Sequence, residues 1–294
     1  MKLVTYDAGH GPRAGVVLAD GRILDLNAAS GGGLPADMVE FLALEDGLAE
    51  ARAIVAGEPT DLSARLSECI HKAADARLLA PIPRPGRVAA LGLNYSEHCE
   101  EGGAELPSEP VVFCKASTSV VGPGQAIELP ATSTQVDWEV EMAFVIGRRA
   151  KLVPAAEAME YVVGYMVLND VSARDYQMEK PGGQWHLGKS FDTFCPMGPW
   201  LVTKDEVPDP YALDISCEVS GDVMQSANTD QIAIRIPEII EYLTQVFTLE
   251  PGDVVATGTP SGVGWACKPQ RFLRPGDVVR CRVEGLGLLE NPVR

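Results

Sequence analysis

The stretch QVDWEVEMAFVIG, residues 135–147, opens with acidic residues at every second position, Asp137, Glu139 and Glu141, and then runs on as an apolar segment. Side chains alternate along a strand, so the three carboxylates share one face, their Cβ atoms roughly 6–7 Å apart, while Trp138, Val140 and Met142 share the other. An antiparallel strand with one solvated face produces the same alternation. The continuation Ala143-Phe144-Val145-Ile146, however, is apolar on both faces and leads the glutamates into the interior. There, burial and mutual repulsion raise carboxyl pKa values. A bound divalent cation removes both penalties, and oxygen-only ligands suit Mg²⁺, Mn²⁺ or Ca²⁺ better than Zn²⁺. The spacing by itself leaves a solvated strand and a metal site both open. Asp170 favours the metal, because it ends the almost wholly apolar YVVGYMVLND (161–170) and offers a third ligand at the mouth of a second buried strand.

Around this pair, short apolar runs punctuated by turns follow from Arg87 onward: VAALGLN, VVFCKA, WLVT, LDISCEVSG, DVVATG and DVVRCRVEG. They predict a mixed α+β fold that is mainly β, of sandwich, roll or barrel type. One helix interrupts them, RIPEIIEYLTQVF (235–247), with Ile236, Ile239, Ile240, Leu243 and Phe247 on one stripe. Residues 1–79 read as a small N-terminal α/β domain. KLVTYD and AGVVLADGRILDL form its strands, the latter turning at Asp20-Gly21, and PADMVEFLALEDGLAEARAIVAG (35–57) forms a helical stretch stopped by Gly57 and Pro59. Prolines 81, 83 and 85 keep 80–87 extended as a linker to a catalytic domain over 88–294.

The formal net charge of −17 argues against nucleic acid and anionic membrane surfaces as partners. A small anionic substrate stays compatible, since a bound cation reverses the local field. The N-terminus lacks the apolar core of a signal peptide and no apolar run approaches the roughly 18 residues of a membrane span, so a cytoplasmic location is expected. Seven scattered cysteines without a C-x-x-C suit reduced thiols. The G-x-S-x-G, H-E-x-x-H and Walker A patterns are absent from the sequence. Cys99 beside His98 is discounted as a nucleophile, because neighbours on an extended backbone face opposite ways. His10, His71 and His186 receive no role.

Taken together, LGLNYSEHCEE, VDWEVEMAFVIG, GYMVLNDVSARDYQ, WHLGKSFDTFCPMGPWLVT, PGDVVATGTPSGVG and PGDVVRCRVEGLG resemble, in this order, the fumarylacetoacetate hydrolase family. The similarity covers about residues 86–291, and residues 1–75 look like the variable N-terminal domain of its shorter bacterial-type members. The resemblance implies a mixed β-sandwich roll, usually a homodimer, with one Mg²⁺ (or Mn²⁺ or Ca²⁺) per active site held by Glu139, Glu141 and Asp170. Asp137 is not among the family's ligands and is expected to pair with a neighbour or to rest at the site edge. His98 and Glu101 match a pair that activates water, borne on a stretch that in the family is often a mobile lid. Lys189 matches an active-site lysine, although a lysine between a glycine and an apolar strand, taken alone, reads as exposed. Gln177 and Thr259 match substrate contacts, and Arg174 either binds a substrate carboxylate or braces its own turn.

The activity so implied is metal-dependent hydrolysis of a C–C bond in an acylpyruvate or related 2,4-diketo acid, releasing pyruvate. His98 oriented by Glu101 would deprotonate water, and Lys189 with Gln177 would stabilise the oxyanion. Oxaloacetate decarboxylation, and isomerisation, decarboxylation or dehydration of a related 2-oxo acid, are the alternatives the same site supports, and a non-catalytic metal-binding protein would not need His98, Glu101 and Lys189 together.

Overall fold

Every residue of the Val140–Ile146 strand is buried, and its alternate side chains enter two different cores. Met142, Phe144 and Ile146 join one cluster, Ala143 and Val145 the other. A strand covered on both faces must be central, and the computed structural model, which describes residues 1–57, 69–72 and 75–294, places it in the middle of the main sheet. From one edge, that sheet runs Ile70–His71, Ile23–Asp25, Arg13–Val17, Lys2–Asp7, Cys195–Thr203, Val162–Asn169, Val140–Ile146, Val254–Ala256, Val88–Gly92 and Val111–Lys115. The pairing of Val254–Ala256 with Val88–Gly92 is parallel, and its pairing with Val140–Ile146 is antiparallel. The fold is therefore mixed α+β and mainly strand, as expected.

The first core lies between this sheet, a four-stranded sheet (Asp222–Asn228, Asp214–Val219, Val278–Val283, Gly287–Pro292) and the helix Ile236–Val246. Ile236, Ile239, Ile240 and Leu243 form the buried stripe of that helix, and its start is fixed by Glu238, whose carboxylate accepts the Arg235 amide at 2.8 Å. Phe247 stands at the helix end under the Arg87 guanidinium, and Thr244 completes the buried stripe in its place.

The second core is shared along the chain. Leu3, Val16, Leu24, Met38 and Phe41 pack in one cluster with Ala143, Val145, Met166 and Leu168, and Lys2 and Leu3 pair with Val202 and Leu201. Within the Pro-rich segment 80–87, Ala80 and Ile82 are buried and the Thr5 hydroxyl donates to the Pro81 carbonyl at 2.7 Å. The helical stretch expected over 35–57 is two helices, Met38–Leu42 and Gly47–Ala56. The chain turns at Asp46-Gly47, where a Cβ on Gly47 would lie 2.8 Å from the Phe41 carbonyl oxygen, a contact only glycine permits. Gly57, at φ +79°, ends the second helix as expected, while Pro59 lies outside the described residues. Among the described residues, no helix is long and apolar enough to cross a membrane.

One strand was expected to carry all three carboxylates of 137–141, and the structure divides it. Val136–Asp137 pairs with Ser172–Ala173, whereas Val140–Ile146 pairs with Val162–Asn169, and Trp138 and Glu139 lie between the two. The break turns Asp137 out of the row and leaves Glu139 and Glu141 facing the end of the neighbouring strand, where Asp170 follows Asn169.

Candidate active site

Glu139, Glu141 and Asp170 converge from these two strands, each with a carboxylate oxygen within 4.8 Å of the others. All three are buried, as is Asp137, so each needs a compensating partner. The interior supplies three cations. Lys189 Nζ donates to Glu139 Oε2 at 2.8 Å and to Asp170 Oδ2 at 2.7 Å. Lys115 Nζ donates to Asp170 Oδ1 and, at 3.2 Å, to the Val171 carbonyl. Arg174 pairs through Nε with Asp137 Oδ2 at 2.8 Å and through Nη1 with Glu139 Oε1 at 2.7 Å.

Glu141 alone of the four lacks a cation. Its Oε2 accepts the Gly258 amide at 2.6 Å, and its Oε1 is buried without a partner. Burial, with the charges of Asp170 and Glu139 beside it, pushes the Glu141 carboxyl well above the usual carboxylate range. Burial would raise Glu139 as well, but Lys189 and Arg174 bring it down to about 2. Burial would lower the Lys189 ammonium; Asp170 and Glu139 outweigh it and raise that pKa instead, so Lys189 stays charged and serves as a donor rather than a base.

A buried carboxylate oxygen with nothing to bind, beside two further carboxylates, is the chemistry of a divalent-cation site. The 4.8 Å spread of the donor oxygens compares with about 4.1 Å across a Mg²⁺ octahedron and roughly 5 Å across a Ca²⁺ sphere. The residues present fit a hard cation, with Glu141 Oε1 the oxygen of the cluster that no protein group satisfies.

Beside these carboxylates opens a cavity of about 180 Å³, lined by Glu139, Arg174, Gln177, Lys189, Thr259 and His98 among others. His98 and Glu101, three residues apart, lie on the helix Ser96–Glu101 with Nδ1 3.4 Å from Oε2. The Glu101 carboxylate also accepts the Gly262 amide, at 3.0 and 3.1 Å from its two oxygens. Because Cys99 shares that helix, the extended-backbone argument against it does not apply. Its thiol is instead buried, donates to the Leu93 carbonyl at 3.4 Å and is raised in pKa by burial, which keeps it unreactive.

Lys189 is buried, contrary to what its flanking residues alone suggested. Arg174 both braces and points inward: Nη1 also donates to Gln177 Oε1 at 2.9 Å, while Nη2 is a buried donor with no partner. Asp137 pairs with Arg174 and further accepts the amides of Trp138 at 2.8 Å, Gly264 at 2.7 Å and Trp265 at 2.9 Å. The Thr259 hydroxyl is engaged within the protein, donating to the Val140 carbonyl at 2.9 Å and accepting from Gln225 at 2.8 Å.

Sequence reasoning missed Lys115, the Gly258 amide, Gln225 and Trp185. Trp185 lines the cavity, meets the Phe113 ring edge-on with centroids 5.5 Å apart, and lies against Gly92, whose added Cβ would be 2.4 Å from the indole. The only signal for this wall in the sequence is that glycine.

A strand-rich fold that buries a cluster of three carboxylates next to a small cavity lined by Arg174, Lys189 and His98 has the features of an enzyme site. Residues 87–294 match the family model for the fumarylacetoacetate (FAA) hydrolase C-terminal region. Over its whole length the chain is 46% identical to the mitochondrial oxaloacetate tautomerase FAHD2A of Bos taurus, of which the alignment covers 91%. It is similar in structure to the 5-carboxymethyl-2-hydroxymuconate delta-isomerase of Mycobacterium smegmatis, with TM-score 0.78, 36% identity and coverage of 100% of this chain and 99% of that one. The maleylpyruvate hydrolase of Sphingobium sp. SYK-6 is similar too, at TM-score 0.79 and 32% identity, with the same coverage of both chains. The chain belongs to the fumarylacetoacetate hydrolase family.

Proposed function

We propose that this protein is a divalent-cation-dependent enzyme for small 2-oxo acids and that it catalyses proton transfer at C3, interconverting the keto and enol forms of oxaloacetate or a close analogue. The observation that carries the reading is Glu141, among the described residues the one buried carboxylate without a cation, clustered with Glu139, which lines the cavity together with Arg174, whose Nη2 is a buried donor without a partner. A relative 46% identical over the full chain bears the name oxaloacetate tautomerase, which supports oxaloacetate as substrate. A cation held by Glu139, Glu141 and Asp170 supplies Lewis-acid polarisation of the 2-oxo group.

The protein's own residues do the rest. Arg174 Nη2 takes the substrate carboxylate. Lys189, fixed as an ammonium, stabilises negative charge on the C2 oxygen. His98 removes a proton from C3 and returns it to the C2 oxygen, with Glu101 holding its ring, so no atom is gained or lost. Water activation by the same pair would instead give C–C hydrolysis of an acylpyruvate, and the His98–Glu101 contact at 3.4 Å favours that as the second reading. The expected cytoplasmic location belongs to the same proposal.

The test is a panel with Mn²⁺: enol absorbance of oxaloacetate, ketone formation coupled to malate dehydrogenase, CO₂ release, and pyruvate release from acetylpyruvate. Acceleration of enol loss without CO₂ is expected, and His98→Ala should lower kcat about 10²–10⁴-fold. Pyruvate from acetylpyruvate with no effect on oxaloacetate would replace this reading by hydrolysis, and CO₂ release by decarboxylation.

The cavity, with Trp185 in its wall, is at about 180 Å³ smaller than the roughly 300–1,000 Å³ of sites for larger ligands. Trp185→Ala should therefore raise kcat/KM for a long-chain acylpyruvate, relative to oxaloacetate, by about tenfold or more, the value of one or two methylenes in an apolar pocket. An unchanged ratio would remove Trp185 from substrate selection.

A further inference from the structure

The segment Glu139-Val140-Glu141 is held on one side by the adjoining strand: the Glu139 amide donates to Asn169 Oδ1 at 3.1 Å, and the Glu139 carbonyl accepts the Asp170 amide at 2.8 Å. On the other side no strand reaches it, because pairing with Val254–Ala256 begins only at Ala143. Two side chains fill the gap. Gln225 Oε1 accepts the Val140 amide at 2.9 Å, and the Thr259 hydroxyl donates to the Val140 carbonyl at 2.9 Å. Gln225 Nε2 joins the two by donating to Thr259 Oγ1 and to the Pro260 carbonyl, both at 2.8 Å. Gln225 is 1% exposed and Thr259 4%, so these bonds are made away from water, where orientation is firmly held.

We propose that Gln225 and Thr259 are positioning residues that clamp the peptide groups of Val140 and thereby aim Glu139 and Glu141 at a common cation. The clamp comes from a separate layer, since Gln225 belongs to Asp222–Asn228 at the edge of the four-stranded sheet. Both donors and the carbonyl oxygen of the Gln225 side-chain amide are engaged, as is the hydroxyl proton of Thr259, which leaves the two side chains no donor for substrate. The next residues continue the arrangement: the Thr257 hydroxyl donates to the Met142 carbonyl at 2.7 Å, and the Gly258 amide donates to Glu141 itself at 2.6 Å. Rotating the Val140 peptide would swing both glutamates, which flank it, and widen the 4.8 Å spread of the oxygen donors.

The inference rests on the reading of Glu139, Glu141 and Asp170 as cation ligands, so the experiment begins with Mn²⁺ binding to the wild-type protein by calorimetry and by the electron paramagnetic resonance spectrum of the bound ion. Absence of wild-type binding overturns the ligand reading itself. Given binding, Thr259→Val and Gln225→Met should each weaken Mn²⁺ about 10–100-fold, the usual effect of removing an outer partner of a ligand, and broaden the spectrum. Thr259→Ser, which keeps the hydroxyl, should restore the wild-type affinity and line shape. Wild-type Mn²⁺ affinity in folded Thr259→Val and Gln225→Met overturns the clamp, as does a rise in KM for oxaloacetate with Mn²⁺ binding unchanged. Should Gln225→Met fail to fold, Thr259→Val and its serine control decide alone.

Discussion

Asp137→Ala is expected to lower folding stability by about 3–5 kcal/mol, the cost of leaving a buried charge without its partner. Asp137 accepts from Arg174 and from three backbone amides, and it is fully buried. Its removal strands the Arg174 guanidinium, 4% exposed, with only Glu139 and Gln177 as partners, and frees the amides of Gly264 and Trp265 that fix the cavity wall. Asp137→Asn should cost less, because it keeps the shape and one acceptor but removes the charge. Urea denaturation at neutral pH measures both, and an Asp137→Ala loss under 1 kcal/mol would show that Arg174 finds a new partner at little cost.

Glu141→Gln should have two opposite effects. Metal-dependent turnover should fall about 10³-fold or more, since the loss of Lewis-acid stabilisation is worth several kcal/mol and each 1.36 kcal/mol is tenfold. The cation-free protein should at the same time become more stable. Glu141 is raised above the glutamate value of 4.5 by burial and by Asp170 and Glu139, so the folded state binds a proton that the unfolded chain releases. Such a group opposes folding increasingly as pH rises above 4.5, and the penalty is absent below it. In chelator at pH 7, Glu141→Gln should therefore raise Tm, flatten the decline of stability with pH, and abolish the further rise that Mn²⁺ gives the wild type. A lower Tm in chelator would mean that the Gly258 amide contributes more through the charged form than the neighbouring carboxylates take away.

The carboxylate cluster was readable in the sequence because two regularities meet there. Alternation puts Glu139 and Glu141 on one face, and the apolar run before Asp170 makes it the end of a buried strand. Asp137 obeys the same alternation yet leaves the row, because Val136–Asp137 pairs with Ser172–Ala173, a partner 35 residues ahead that periodicity cannot reveal. Lys115 ends a strand whose composition gives no sign of a buried charge, and its ion-pair partner is Asp170, 55 residues away. Gln225 was hidden for a related reason. It lies on a strand with exposed neighbours, and only the stacking of a second sheet over Val140 brings it to the site. The break in the 35–57 helical stretch was legible in principle, since Asp46-Gly47 is a turn pair, but the apolar spacing on either side masked it.

The sheet also sets an order of events during folding. Its centre is closed by Val254–Ala256, which inserts between Val88–Gly92 and Val140–Ile146, and its N-terminal strands dock on Cys195–Thr203. A nascent chain must therefore extend past residue 256 before either central edge is covered, and until then two largely apolar strand edges face water. Pairings between residues so far apart in sequence make folding slow and leave the growing chain open to edge-to-edge association. The exposure ends only late in synthesis, when Val254–Ala256 emerges and the site assembles with the core.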